Sequence, residues 1–168
     1  MPHRKRKVFE QGHQRKLMLV VDDSPEFEAA LIFAARVAAR TKGSLCMLYV
    51  IGPADFHHWI GVESIRRDEE TNRAKALFRL ARIKLKSIEC VDIDIEEVIR
   101  EGNSAEEIIN QIEDDEDIAV LVLGAASDAD GPGPLVSSLA SGKGAGDFPI
   151  PIYLVPGNLT FEDIEALA

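Results

Sequence analysis

What the chain lacks excludes most of the chemistry a sequence can announce. It has only two cysteines, Cys46 and Cys90, far apart and without CxxC spacing. That gives no basis for a disulfide framework, and reduced core thiols are expected. No HExxH or paired Cys/His spacing occurs, and the conspicuous His57-His58 are adjacent residues, which seldom bind one metal together. GxSxG, GxxxxGK[ST] and GxGxxG are absent as well. The chain therefore offers no catalytic residue and no metal ligand, and an enzyme is not expected. Apolar runs are strand-sized, far short of the roughly 20 residues that span a bilayer. The basic start is followed by only five apolar residues, 17–21, before Asp22-Asp23, too few for the apolar region of a signal peptide.

Positive charge is also scarce. Residues 1–16 hold six of the 19 Lys and Arg, leaving 13 basic against 28 acidic side chains, or −15, in the rest. Such a field repels nucleic acid and anionic membrane, so neither is expected as a partner. Residues 1–15 are expected to form a basic, disordered arm.

What is present is a chain of short apolar runs alternating with helical patterns. With 168 residues, 46% of them hydrophobic, it suits one compact domain, expected over 16–157. Wholly apolar strands are predicted at 17–21 and 118–123, and a further apolar strand at 44–51. Val91, Ile93 and Ile95 alternate with acids, the pattern of a strand with one wet face. Residues 150–155 give a fifth strand containing Pro151. Between them, Ser24-Pro25-Glu26 reads as a helix start with Ser24 as cap, its apolar face running on to about Arg40. Helical patterns follow at about 63–86, where Leu80 and Ile83 fall off the apolar stripe, and at 105–112 and 135–146. Thr160, three residues before Asp163, points to a short helix in the tail, 158–168.

Alternating strands and helices imply an α/β fold, a single open five-stranded parallel sheet with helices on both faces and right-handed crossovers. Fully apolar strands belong in the centre; the alternating third and the proline-containing fifth suit edges, which gives the order 3-2-1-4-5. In that order the chain reverses direction between strands 1 and 4, and ligands of open α/β sheets bind in that crevice beyond the carboxyl ends. One lip is Asp22-Asp23-Ser24. The other is Gly124 to Ser127, continuing through Gly131-Pro132-Gly133-Pro134 to Ser137-Ser138.

These residues resemble the universal stress protein family over most of residues 16–156. The likeness rests on a strand ending Val21-Asp22 with Ser24 close behind, a second ending Tyr49-Val50-Ile51, a third followed by Gly102, and the loop after strand 4. Family members that bind ATP carry glycine, two residues, glycine, nine residues, glycine, then Ser or Thr. This chain keeps the spacing as Gly124, Ser127, Ser137 and Ser138, with two of the three glycines changed to serine. The resemblance implies a Rossmann-like, cytoplasmic stress-response regulator that binds ATP or another adenine nucleotide rather than turning over a substrate. Its site residues would be Asp22, Ser24, Val50, Gly124, Ser127, Ser137 and Ser138. Each also has a plainer role: strand-end acid, helix cap, core residue or turn. Asp128 and Asp130 lie within the loop, and no Lys or Arg occurs between Arg100 and Lys143, which disfavours a triphosphate. The family likeness further implies a homodimer through the last strand, Ile150 to Pro156, besides an unknown protein partner. The alternative is a dimeric interaction module of the same fold that binds no nucleotide.

Leu19 to Pro25 is also similar to the first strand of response-regulator receivers. Their later requirements fail here: the corresponding strand ends in Gly124 rather than aspartate, and no lysine precedes Pro156.

Overall fold

The computed structural model describes residues 3–53, 60–127, 131, 133–140 and 148–168. Five parallel strands, β1 (Lys16–Val20), β2 (Ser44–Ile51), β3 (Ile95–Glu101), β4 (Ile118–Ala125) and β5 (Ile152–Pro156), form one sheet in the order β3-β2-β1-β4-β5. Alternate residues of each central strand feed opposite cores, as the two-residue period of a strand requires. Leu17, Leu19, Val120 and Val122 face helices α1 (Phe27–Arg40), α2 (Ile60–Ser87) and α5 (Phe161–Leu167). Met18, Leu121 and Leu123 face α3 (Ser104–Asp114) and α4 (Pro134–Ala140). The predicted order and the two-sided cover are both observed.

Besides β5 beginning at Ile152, so that Pro151 precedes the strand rather than lying in it, the structure departs from the sequence reading in three places. First, β3 begins at Ile95, and Val91 at the start of the predicted alternation is 60% exposed. The register explains this: β3 pairs with β2 from Leu45↔Ile95 to Ile51↔Glu101, with the Asp94 carbonyl accepting the Leu45 N–H, so residues 91–93 run past the start of their partner strand. Second, Ser24 does not cap α1, which starts at Phe27 after Glu26 with no side-chain cap. The Ser24 hydroxyl instead donates to Asp22 Oδ1 at 2.5 Å.

Third, the segment expected as a disordered arm is laid against the acidic turn between α3 and β4. Arg6 Nη1 donates to the carbonyls of Ile112 at 2.6 Å and Asp115 at 3.0 Å, and the Lys7 N–H to that of Glu116. His13 Nδ1 lies 2.6 Å from Asp117 Oδ1. The physical reason is charge: residues 113–117 read EDDED. Next to them Lys16 bonds Asp115 at 2.6 Å and Glu96 at 2.8 Å. Burial of Lys16 works against its charge, but those two carboxylates outweigh it and raise its pKa above the ordinary lysine value.

The tail helix is capped as expected. Thr160 Oγ1 accepts from the Asp163 N–H at 3.1 Å, while Asp163 Oδ2 accepts from the Thr160 N–H at 3.0 Å.

Both cysteines are buried and free, Cys46 fully and Cys90 nearly so. Burial pushes the Cys46 thiol up to about 12 and also raises that of Cys90. Since the thiolate is the reactive form, neither should react with Ellman's reagent at pH 8 while the chain is folded, and both should once it is denatured. Rapid labelling of the native chain would contradict this packing.

Candidate functional site

The site is built from the carboxyl ends of the middle strands. β1 pairs with β2 on one side and β4 on the other; the chain leaves β1 for α1 on one face and β4 for α4 on the opposite face. The strand tips therefore part, and a two-lobed cleft opens above them. The larger lobe, about 470 Å³, lies over β1 and β2 and is lined by Asp22, Tyr49, Val50, Asn103, Ser104, Leu135 and Ser138 among others. That volume lies within the roughly 300–1,000 Å³ of small-molecule sites. The smaller, about 220 Å³, lies over β1 and β4, with Asp22, Asp23, Ser24, Glu26, Gly124 and Gly133 on its walls. Val20, Asp22 and Leu135 belong to both.

Asp22 is held by its own turn. Its Oδ1 accepts from the Ser24 N–H at 2.9 Å as well as from the Ser24 hydroxyl. This Asx-type turn fixes the carboxylate at the junction of the lobes. Beside it, the Asp23 carboxylate accepts from Arg73 of α2. The Tyr49 hydroxyl donates to Glu70 of the same helix at 2.7 Å. Burial first, then the Glu70 carboxylate, push Tyr49 up to about 12, so it remains a neutral donor through the physiological range. Two polar ties thus hold α2 over the tips of β1 and β2.

Glycine does different work from what the motif spacing suggests. Gly124 is where β4 passes the start of α1: a Cβ there would lie 2.6 Å from the Glu26 carbonyl oxygen. Left-handed backbone occurs at Gly131 (φ +97°) and Gly133 (φ +109°). Neither Ser127 nor Ser137 has positive φ; Ser137 sits inside α4, its N–H donating to Gly133 O. Serine at those two positions therefore strains nothing.

Of the residues expected at the site, Asp22, Val50 and Ser138 meet in the larger lobe, and Ser24 and Gly124 in the smaller. Ser127 and Ser137, both exposed, line neither. Tyr49, Asn103 and Ser104 were missed as site residues. Asn103 was legible only as part of a helix start, and its side chain does accept the Glu106 N–H at 3.2 Å. His57, His58, Trp59, Asp128, Asp130 and Lys143 lie outside the described residues. Among the described residues, the walls carry Asp22, Asp23 and Glu26 but no Lys or Arg, and no cluster of three or more His, Cys, Asp or Glu is arranged to hold a metal. Nor is any described helix long and apolar enough to cross a membrane.

Comparison with known proteins places this geometry in context. A family model described as the universal stress protein family matches residues 14–142. Among solved structures, universal stress protein UspA from Lactobacillus plantarum aligns with a TM-score of 0.67 at 18% identity, covering 84% of this chain and 97% of its own. A universal stress protein in complex with cAMP aligns with a TM-score of 0.58 at 16% identity, covering 86% and 98%. One from Archaeoglobus fulgidus in complex with dAMP gives 0.54 at 18%, covering 84% and 97%. At such identities these structures share the fold. No curated protein sequence matches the chain.

Proposed function

The chain belongs to the universal stress protein family, and from that premise we propose that it is a cytoplasmic stress-response regulator acting by binding an adenine nucleotide in the cleft above β1, β2 and β4. The observation that carries this reading is the larger lobe. It sets an Asp22 carboxylate, held by its own turn, opposite the α3 start at Asn103-Ser104, over a floor that includes Val20 and Val50. The apolar floor suits a purine face, while Asp22 and the Asn103 and Ser104 side chains supply acceptors and a hydroxyl for ribose. Relatives of the same fold solved with cAMP and dAMP support the choice of ligand class.

The walls also rank the ligands. With three carboxylates and no cation among the described lining residues, each added phosphate meets a less favourable field. Thermal shift should therefore order adenosine and AMP above ATP without magnesium, with ATP gaining when magnesium is present. Saturating ligand at about 100 times Kd would stabilise the chain by about 2.7 kcal/mol. Asp22→Ala should abolish the shift while the variant still melts cooperatively. No shift with any adenine ligand would reject the proposal, and an undiminished shift in Asp22→Ala would move the site elsewhere.

A second reading, a dimeric interaction module that binds no nucleotide, draws support from the other edge of the sheet. β5 is an edge strand, and Tyr153, Leu154, Phe161 and Leu167 are exposed around it. An unpaired edge with an apolar surround favours pairing with a second copy through Ile152–Pro156, and we propose the homodimer on either reading.

A further inference from the structure

The long helix α2 presents an outward face that no other described residue of the chain covers. Ala74, Phe78, Ala81 and Leu85 form its buried stripe, and the opposite side carries Ile65 and Ile83, 60% and 57% exposed, flanked by Val62 and Leu80. Four of the large apolar side chains exposed among the described residues thus lie on one helix, on a chain with net charge −10. An apolar series of this kind on a monomer surface marks an interface.

The charges on the same face are arranged by sign. Asp68 and Glu69 stand towards the amino end, and Lys75, Arg79 and Lys86 towards the carboxyl end. None of the five has an ion-pair partner among the described residues, although Arg66, Arg67, Arg73, Arg82 and Lys84 of this helix all do. Near the middle of the helix the same face carries the small or short side chains Asn72 and Ala76.

This pattern is complementary to itself reversed. A two-fold axis crossing α2 near residue 74 sets Ile65 beside Ile83 of the second copy, and Asp68 beside Arg79 of the second copy. Both pairs occur twice, and Asn72 and Ala76 lie at the crossing, where the backbones come closest. Opposite charges face each other along the same flank, which is the geometry of an antiparallel helix pair. A parallel pairing would set like charges side by side. We propose that the outer face of α2 is a self-complementary interface that binds α2 of a second copy of this chain, antiparallel and separately from the β5 edge. A chain with two isologous faces assembles beyond a dimer, either closing as a tetramer or growing as a filament.

The test uses the full-length chain with single cysteines. Cys46 and Cys90 are buried, which leaves the introduced thiols as the accessible ones. In the antiparallel pair, residue 65 of one copy meets residue 83 of the other, whereas equal positions are about 27 Å apart along the helix axis. An equimolar mixture of Ile65→Cys and Ile83→Cys chains, mildly oxidised, should cross-link several-fold more than either variant alone. Asp68→Arg and Arg79→Asp should each weaken the association about tenfold, because each reversal acts twice in a two-fold pair. Combining both reversals in one chain should restore it. Cross-linking in the mixture no greater than in the separate variants, or failure of the double reversal to restore association, would overturn the proposal. If wild-type chains do not associate through α2 at all, the face has a different occupant and the proposal also fails. Loss of β5 pairing alone, read by solution mass with Leu154→Arg, leaves the α2 cross-link intact.

Discussion

Replacing Gly124 by alanine is expected to lower the melting temperature by about 6–12 °C, corresponding to a loss of roughly 3 kcal/mol for a chain of this size. The added Cβ would lie 2.6 Å from the Glu26 carbonyl oxygen and 3.0 Å from its carbonyl carbon. These are backbone atoms, so no rotamer change relieves the contact. Gly157, following the neighbouring strand β5, approaches the same residue from the same face of the sheet, its Cβ position 2.6 Å from that of Glu26. The start of α1 therefore rests on two glycines, and room for one methyl can come only by moving α1, the Asp22-Ser24 turn, or β4. Any of these disturbs the cleft, so adenine-dependent stabilisation should fall together with the melting temperature. Gly61→Ala is the control. No atom of the described residues lies within 4 Å of its Cβ position, and the residue is in α2, so alanine should be neutral or stabilising by up to about 1 kcal/mol. If the two variants melt alike, Gly124 is not a packing glycine and its retention in the ATP-loop spacing must be explained by ligand contact.

The same residue shows what a sequence can and cannot disclose. Burial on both faces leaves a mark that survives without coordinates: the runs Leu17 to Val21 and Ile118 to Leu123 admit no polar residue, and they are the central strands. From their position and the edge character of the other strands the order follows, and from the order the cleft, so Asp22 and Val50 were legible as strand-end residues. Ser127 and Ser137 entered by motif spacing alone, and the fold sets one beyond the end of β4 and the other on α4, outside both lobes. Tyr49 and Asn103 come from the tips of other elements, and no spacing along the chain connects them to Asp22. The β3 register was obscured because Val91 and Ile93 alternate like a strand, while the strand's length is set by β2, which they cannot reach. Local pattern is readable where one element decides it; register and docking depend on two.

The amino-terminal segment is the clearest case of that dependence, and Arg6→Ala is expected to cost about 2–4 kcal/mol, with a corresponding fall in the denaturation midpoint. Arg6 is the fixed point of the segment: its guanidinium donates to the carbonyls of Ile112, Asp115 and Ile118, and back to that of Arg4. α3 ends at Asp114 with no basic residue in its last turn, so its orphan carbonyls and negative pole have no cation of their own. Arg6 supplies it from about a hundred residues away. Hydrogen bonds to a charged group contribute about 1.5–3 kcal/mol each and are not additive, hence the expected range. Arg4 is the contrast. Its own side chain is 54% exposed, and its contacts are fewer and longer, Glu116 at 3.1 Å and the Glu113 carbonyl at 3.3 Å, so Arg4→Ala should cost less, about 1 kcal/mol. Arg6→Lys should fall between the two, since an ammonium keeps the charge but cannot reproduce a planar fork reaching several carbonyls. Hydrogen exchange gives an independent reading: the Lys7 amide, bonded to Glu116 O, should be protected in the wild type and exchange faster in Arg6→Ala. Composition alone favours a solvated tail, and equal stability of the Arg4 and Arg6 variants with an unprotected Lys7 amide would restore that view. Protection together with a large Arg6 effect would make residues 3–7 part of the folded domain, held by a charge pairing in which each partner, read separately, looks like a surface run.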